Sequence, residues 1–208
     1  MIARNILITD AATEPLKDQE AVDHLREDIN NMGKIRPYLV GARQSIEQEL
    51  ISVKLTQQTY ELQMDGWYTD GFGFPVTASS YPTYYGYVTL PACPLVSITS
   101  IKYDDVNNVE QTLASSNYAV DTSSMPGRFR FTGSATLPNL YDKPNCVRIR
   151  YVAGFGASGA TDAGQSAVPE PLKNAVRFRM QVLSERGEGS KVLEPIIQNL
   201  ISPYRIPV

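Results

Sequence analysis

The sequence predicts an α+β fold, in which helices at the two ends of the chain form a helical bundle around an inserted antiparallel β region. Apolar residues recur at helical spacing up to about residue 55 and again from residue 169. Short runs of alternating residues fill the span between them, and their links are too short for crossover helices. With 208 residues, 42% of them hydrophobic and 20% charged, the chain suits one globular domain overall.

Residues 1–55 are predicted to hold the N-terminal helices. Val22 and Leu25 share one face of a segment whose early turns are acidic, as is favourable at a helix N-terminus. After a turn, a second set of apolar residues follows helical spacing: Ile35, Leu39, Ala42, Ile46 and Leu50.

Residues 56–155 are predicted to form the antiparallel β region. The stretch TQQTYELQMDGW alternates, and the strands that follow are YVTLP, SITSIKYDD, VEQTL, NYAVD, RFRFT and CVRIRYV. Residues 66–86 interrupt this pattern with a Tyr-rich run that predicts a long loop. Its aromatic rings suit either a subunit or tail interface or the stacking of sugars or bases, but the loop has no Lys or Arg to bind nucleic acid. The candidate interface residues are Trp67, Tyr68, Phe72, Phe74, Tyr81, Tyr84 and Tyr85.

Arginines alternate along two of the predicted strands, as Arg128 with Arg130 and Arg148 with Arg150. The i, i+2 spacing places each pair on one face of a sheet. Two interpretations stay open, an ordinary polar outer face and an electropositive contact surface.

A G-x-G-x-x-G pattern at Gly154, Gly156 and Gly159 follows a predicted strand. A dinucleotide-binding turn requires its third glycine to open a helix within a βαβ unit. Here about ten residues separate that glycine from any helix pattern, and no parallel strand follows. We therefore expect no nucleotide and no other cofactor. Residues 156–168 are interpreted as a Gly-rich hinge that lets the C-terminal helices adjust relative to the β region.

Residues 169–201 are predicted to be the C-terminal helices, and residues 202–208 an extended tail. The end of the chain is apolar or aromatic apart from one charge, and such a segment is costly to expose to water. It could add to a sheet edge of a partner or fold back on the chain's own helices. The candidate partner-binding residues are Ile201, Pro203, Tyr204, Arg205, Ile206, Pro207 and Val208.

No catalytic or metal site is predicted. His24 is the sole histidine, and no serine lies in a G-x-S-x-G motif. Cys93 and Cys146 lack metal-binding spacing and are expected to be reduced packing thiols in preference to a disulfide. The net charge of −3 gives no general reason to expect nucleic acid as the main partner, and the apolar runs are too short to span a bilayer.

Four features in a fixed order form a more specific set than any of them alone. They are Glu14-Pro15-Leu16 with Glu20-Ala21 and His24-Leu25-Arg26; T-x-Q-T-Y-E-L from Thr56 to Leu62; L-P-x-x-P-L-x-S-I-x-S-I-x-Y from Leu90 to Tyr103, with Asn117–Asp121 and Val147–Gly156; and Leu200–Arg205. Together they resemble the head-to-tail connector (adaptor, or head-completion) proteins of long-tailed bacteriophages and gene transfer agents. The run at 66–86, the link at 154–168 and the segment GEGSKVLEP depart from that pattern.

The resemblance implies a non-enzymatic structural protein of the virion neck, made in the host cytoplasm and located at the head-tail junction. Such proteins form a cyclic ring of about twelve copies beneath the portal after DNA packaging, through heterologous contacts. The ring extends the DNA channel, and genomic DNA passes through it without sequence-specific binding. The implied partners are the portal protein, neighbouring copies, and a stopper or tail terminator, with no membrane. The alternative is a monomeric β-rich module that binds carbohydrate or a partner through the aromatic loop.

Overall fold

The structure, a computed structural model, describes residues 3–67, 87–132, 137–156, 167–185 and 189–206, without the side chains of 189–191. The chain divides into two compact units. One comprises Met1–Asp10 and Gln58–Ala153 and is built of strands, and the other comprises Ala11–Gln57 and Gly154–Val208 and is built of helices. The predicted mixed α+β class is therefore confirmed. No helix in the described ranges is long and apolar enough to cross a membrane.

The β unit contains a five-stranded and a three-stranded sheet. Its strands are β1 (Ala3–Thr9), β2 (Gln58–Met64), β3 (Val88–Thr89), β4 (Leu95–Asp104), β5 (Glu110–Thr112), β6 (Tyr118–Asp121), β7 (Arg128–Phe131) and β8 (Val147–Ala153). The strand order is β1-β2-β8-β4-β5 in the larger sheet and β3-β7-β6 in the smaller one. Every neighbouring pair of these strands is antiparallel. The short links predicted this for β4–β5 and β6–β7, whereas the other pairs join strands that are distant in the sequence.

Strand β1 corrects the prediction that residues 1–55 contain only helices. Its sequence ARNILIT pairs with β2 from Ala3 opposite Met64 to Thr9 opposite Thr59. The β-branched residues Ile6 and Ile8 favour an extended backbone, but the pairing partners lie 50 to 61 residues away along the chain. This non-local pairing decides the conformation, so a local reading of the sequence did not find it.

One hydrophobic core joins the two sheets of the β unit. Phe129 and Phe131 project into it from β7, and Trp67 packs edge-on against Phe131 with ring centroids 5.6 Å apart. The Trp67 indole N–H donates to the Pro138 carbonyl at 2.8 Å, which satisfies the polar atom of this buried ring. On β8, the buried Tyr151 ring stacks on Tyr60 at 5.8 Å. These aromatic contacts account for much of the apolar burial in the unit.

The helical unit contains α1 (Asp18–Leu25), α2 (Met32–Leu50), α3 (Glu170–Ser184) and α4 (Gly189–Ile201), with a 3-10 turn at Ile29–Asn31. Helix α2 packs on α3, and α3 packs on α4. The predicted apolar stripe of α2 is buried at all five positions. On α3, Leu172, Ala175, Val176 and Met180 are buried, whereas Leu183 is exposed.

A buried ion cluster joins the start of the helical unit to α2. Arg43 is only 2% exposed, and its guanidinium donates to Glu14 at 2.9 Å and to Glu47 at 3.3 Å. Glu47 also accepts the Leu55 backbone N–H at 2.9 Å. Glu14 precedes α2 and Leu55 follows it, so the cluster connects the chain on both sides of α2 to one face of that helix. The two carboxylates also supply the partners that a buried guanidinium requires.

Candidate docking surface

The segment that ends the helical unit was predicted to bind a partner, and its described part lies against the chain's own helices. Ile201, the last residue of α4, is fully buried. Ser202–Tyr204 form a 3-10 turn, after which the Arg205 backbone N–H donates to the Ser202 carbonyl at 3.2 Å. The burial of Ile201 makes it a core residue of the helical unit and takes it off the accessible surface.

Arg205 fixes the end of this segment through a polar contact with two helices. Its guanidinium donates to the Gln198 side-chain oxygen at 2.5 Å and lies 3.9 Å from the Glu49 carboxylate. Gln198 in turn donates to Glu49 at 2.6 Å. Pro203 is exposed, Tyr204 and Ile206 are half-buried, and Pro207 and Val208 lie outside the described residues.

Beneath this contact, Arg179 of α3 connects α2 and α4. Its guanidinium donates to Glu49 at 2.5 Å and to Glu194 at 2.6 Å, and the residue is nearly buried. These charge-assisted hydrogen bonds connect the three helices through one arginine side chain.

Helix α4 presents apolar residues outward as well as inward. Ile197 and Ile201 are buried, while Val192 is 68% exposed and Ile196 41% exposed. Pro195 lies between the latter two at helical spacing and is also exposed. We call Val192, Pro195 and Ile196 the α4 outer face. A surface helix normally carries polar residues on its outward side, so this face is a candidate contact surface.

The aromatic candidates divide between the core and the undescribed part of the chain. Trp67 is 6% exposed and packs in the β unit, which corrects its assignment to an exposed loop surface. Its ring is large and apolar, so the core beside Phe131 is the more favourable place for it. The other candidates lie outside the described residues: Tyr68, Phe72, Phe74, Tyr81, Tyr84 and Tyr85.

The predicted arginine pairs lie on opposite outer faces of the β unit. Phe129 occupies the shared core from β7, and Ile149 occupies it from β8. Alternation therefore turns Arg128 and Arg130 away from the core on the smaller sheet, and Arg148 and Arg150 away from it on the larger sheet. The four arginines do not form one electropositive face.

Arg148 and Arg150 both have carboxylate partners on neighbouring strands. Arg150 donates to Glu61 of β2 at 2.9 Å. Arg148 donates to Asp104 of β4 and to Glu110 of β5, the latter at 3.0 Å. The hydrogen bonds from Arg148 lower the pKa of the Asp104 carboxyl to about 2, against the opposing effect of burial. These contacts neutralise much of the positive charge on this sheet face.

On the smaller sheet, a tyrosine ring lies beneath both arginines. The Arg128 guanidinium is 4.2 Å from the centre of the Tyr87 ring, and that of Arg130 is 5.7 Å from it. Arg128 also donates to Asp121 at 2.9 Å. Hydrogen bonds from Ser123, followed by that from Arg128, lower the pKa of Asp121. The arrangement is a partly neutralised cation–π stack.

His24 lies on α1, and Cys93 and Cys146 are free, buried thiols. His24 borders a pocket of about 850 Å³ at one end of the helical unit, together with Tyr38, Gln181 and other polar residues. Burial, and secondarily the charge of Arg177, lowers the pKa of His24. Among the described residues, no three His, Cys, Asp or Glu side chains are grouped so as to hold a metal ion.

The first glycine of the G-x-G-x-x-G pattern has a steric role. Gly154 has φ +127°, and a Cβ on it would lie 2.1 Å from the Thr56 carbonyl oxygen. Phe155 donates its backbone N–H to the Lys54 carbonyl at 3.2 Å. The glycine therefore permits two backbone segments to approach within the helical unit. Gly159 and residues 157–166 lie outside the described residues, so the predicted hinge stays a prediction.

No protein-family model and no curated protein matches this sequence. Chains of solved structures do match its fold. The fold resembles that of chains in gene transfer agent particles. A chain of the virion of a native gene transfer agent has a TM-score of 0.70 and 23% identity, over 98% of this chain and 96% of that chain.

Two further matches come from neck structures of gene transfer agents. A chain from the neck of an empty particle, computed with C6 symmetry, has a TM-score of 0.69 and 23% identity, covering 99% of this chain and 97% of the other. A chain from the neck of a native particle, computed with C12 symmetry, gives 0.68 and 22%, covering 100% and 97%. These values support the resemblance found in the sequence motifs at the level of the fold.

One surface feature was missed by the sequence analysis. Ile51, directly after α2, is 66% exposed and has φ +63°. The available signal was a β-branched residue at the end of a helix, where glycine is usual. It is weak in sequence, because only the structure shows where α2 ends.

Proposed function

We propose that this chain is a structural, non-enzymatic neck protein of a long-tailed bacteriophage or gene transfer agent. As a head-to-tail connector, it assembles as a ring beneath the portal after DNA packaging. The observation that carries the proposal is the match of nearly the whole fold to chains from gene transfer agent necks computed with C6 and C12 symmetry. The match covers 97% of each of these two neck chains.

In this proposal the ring acts by multivalent docking. Each copy contributes a modest contact to the portal on one side and to the tail or its stopper on the other. Since neighbouring copies are held together, each contact raises the effective concentration of the next. In a closed cyclic ring, both contact faces of every subunit are paired with a neighbour. The central opening of the ring extends the DNA channel.

The ion pairing of the β unit supports a surface past which DNA moves without tight binding. Affinity for a phosphate backbone grows with the number of Lys and Arg side chains available to it. Arg128, Arg148 and Arg150 each already contact a carboxylate. Arginines that already pair with carboxylates would bind DNA phosphates only weakly. Weak binding is what a channel requires if the genome is to slide through it.

Residues 201–208 are proposed to contribute the portal contact. Ile201 and Arg205 hold the start of this segment on the helical unit. The residues beyond Arg205 would then add to a portal surface from a fixed point, which reduces the entropy lost on binding.

Native mass spectrometry of the full chain, with and without the portal protein of the same virus, tests the ring and the partner together. We expect a closed ring, either alone or on the portal. A chain that stays monomeric and does not bind the portal would exclude the connector function and favour the monomeric carbohydrate- or partner-binding alternative.

A pair of truncations tests the portal contact. Removing residues 206–208 is expected to leave the thermal midpoint nearly unchanged and to weaken portal binding. Removing residues 201–208 also deletes the buried Ile201, and is expected to lower the thermal midpoint. Unchanged portal binding by the shorter truncation would reject the tail contact while leaving the connector function standing.

A further inference from the structure

Ile51 occupies a backbone conformation that a β-branched residue rarely adopts. Its φ and ψ are +63° and −71°, and the Ser52 N–H donates to the Leu50 carbonyl at 2.7 Å. These values define a γ-turn of positive φ centred on Ile51, which is the rare and strained form. The branched side chain adds to the strain, because its Cβ substituents crowd the backbone at positive φ.

The Lys54 ammonium donates to the Ile51 carbonyl at 3.1 Å, but the Ile51 side chain has little packing that could offset this strain. Ile51 is 66% exposed, so most of its side chain faces water. Glycine would adopt the same turn without strain and would expose no apolar surface. Strained residues of this kind persist where a function requires them, and an exposed apolar side chain suits a contact with another molecule.

The α4 outer face supplies a second, independent apolar surface. Helix α4 buries Ile197 and Ile201, yet its outward residues Val192 and Ile196 are also apolar. A helix that is apolar on both sides is normally covered on both sides. Among the described residues, Ile197 and Ile201 on the inner side are buried, whereas Val192 and Ile196 on the outer side stay exposed.

We propose that the Ile51 side chain of one copy packs on the α4 outer face of the next copy in the ring, an inference that rests on the proposed function. A cyclic ring requires two different, complementary patches on each copy. Val192 and Ile51, at 68% and 66%, are the two most exposed large apolar side chains of the described residues, and they lie on different elements. Chains of similar fold occur in necks computed with C6 and C12 symmetry. We therefore assign a second copy of this chain as the partner that covers the α4 outer face.

The substitution Ile51→Gly is expected to stabilise the unassembled chain and at the same time to weaken ring formation. It removes strain, so the thermal midpoint of the unassembled chain should rise by about 2–4 °C. It also removes the proposed contact, so the concentration at which rings form should rise at least about tenfold. Val106→Ser, which changes a 57% exposed valine of the β unit, is the control and should alter neither value. Thermal denaturation and native mass spectrometry, with and without the portal protein, measure both.

Complementation tests the pairing itself. A chain with Ile51→Gly lacks one patch, and a chain with Val192→Ser and Ile196→Ser lacks the other. At a total concentration at which the wild type forms rings and each variant alone is monomeric, their equimolar mixture should give a heterodimer and nothing larger, because only one intact interface remains between the two chains.

The outcomes separate this inference from the proposed function. Wild-type rings together with equally stable Ile51→Gly rings would overturn the inference and leave the connector function intact. Variants that stay monomeric when mixed would overturn the pairing of Ile51 with α4, and a lower thermal midpoint for Ile51→Gly would overturn the strain argument. Wild-type chains that form no ring under either condition would reject the connector function together with this contact.

Discussion

The Arg148 guanidinium donates to both carboxylate oxygens of Asp104, at 2.7 and 2.9 Å, across the β8–β4 pair. Lys143 lies 3.1 Å from the same carboxylate, and Asp104 is almost fully buried. A two-point contact of this kind combines charge with fixed geometry, which makes it stronger than an exposed ion pair. We therefore expect it to contribute to both the stability and the acid response of the β unit.

Asp104→Asn is expected to destabilise the protein by about 1–3 kcal/mol at neutral pH, because it removes the charge that Arg148 and Lys143 face. Asp142→Asn, which changes an exposed aspartate, is the control and should shift the free energy of unfolding by less than about 0.5 kcal/mol. Urea denaturation followed by circular dichroism measures both. Equal effects of the two substitutions would contradict the proposed importance of the Arg148 contact.

The wild-type protein is expected to lose the contribution of Asp104 as the pH falls from about 4 to about 2. The hydrogen bonds from Arg148 lower the pKa of the folded carboxyl from 3.8 to about 2. Over that window the unfolded chain binds more protons than the folded chain, so acid favours unfolding. The stability difference between wild type and Asp104→Asn should therefore shrink with acidification. A difference that stays constant to pH 2 would argue against it.

Local patterns predicted those elements whose stability comes from burying one face. The α2 positions from Ile35 to Leu50 follow helical spacing and are buried, and β8 alternates core residues with the outward Arg148 and Arg150. In both elements the spacing of the apolar residues matches the repeat of the helix or strand. The element can therefore be predicted from the local sequence without knowledge of a distant partner.

Features that depend on distant partners were not predicted. Strand β1 forms because it pairs with β2, and Trp67 is buried because it meets Phe131 from another strand. Arg148 and Arg150 were predicted to lie on one sheet face, but their carboxylate partners Asp104 and Glu61 lie 44 and 89 residues away along the sequence. Their neutralisation could therefore not be seen from the arginine spacing alone.

Gly154→Ala is expected to destabilise the helical unit by about 2 kcal/mol or more, because a Cβ would clash with the Thr56 carbonyl and φ is +127°. Gly33→Ala is the matched control: it lies in α2, and a Cβ there meets nothing within 4 Å. That substitution should stabilise the protein by up to about 1 kcal/mol. Thermal denaturation of both variants gives the comparison, and two changes of the same sign would refute the steric role of Gly154.

Arg43→Met is expected to cost about 3–5 kcal/mol, since it deprives the nearly buried carboxylates of Glu14 and Glu47 of the guanidinium between them. Arg36→Met is the control on the same helix, because Arg36 and Asp18 are 3.8 Å apart with side chains 58% and 50% exposed. Water and salt screen that pair, so its loss should cost less than about 0.5 kcal/mol. Urea denaturation distinguishes the two. If Arg43→Met proved as mild as Arg36→Met, the cluster would be adequately hydrated or compensated, and the Arg43 contact would not be what holds Glu14 against α2.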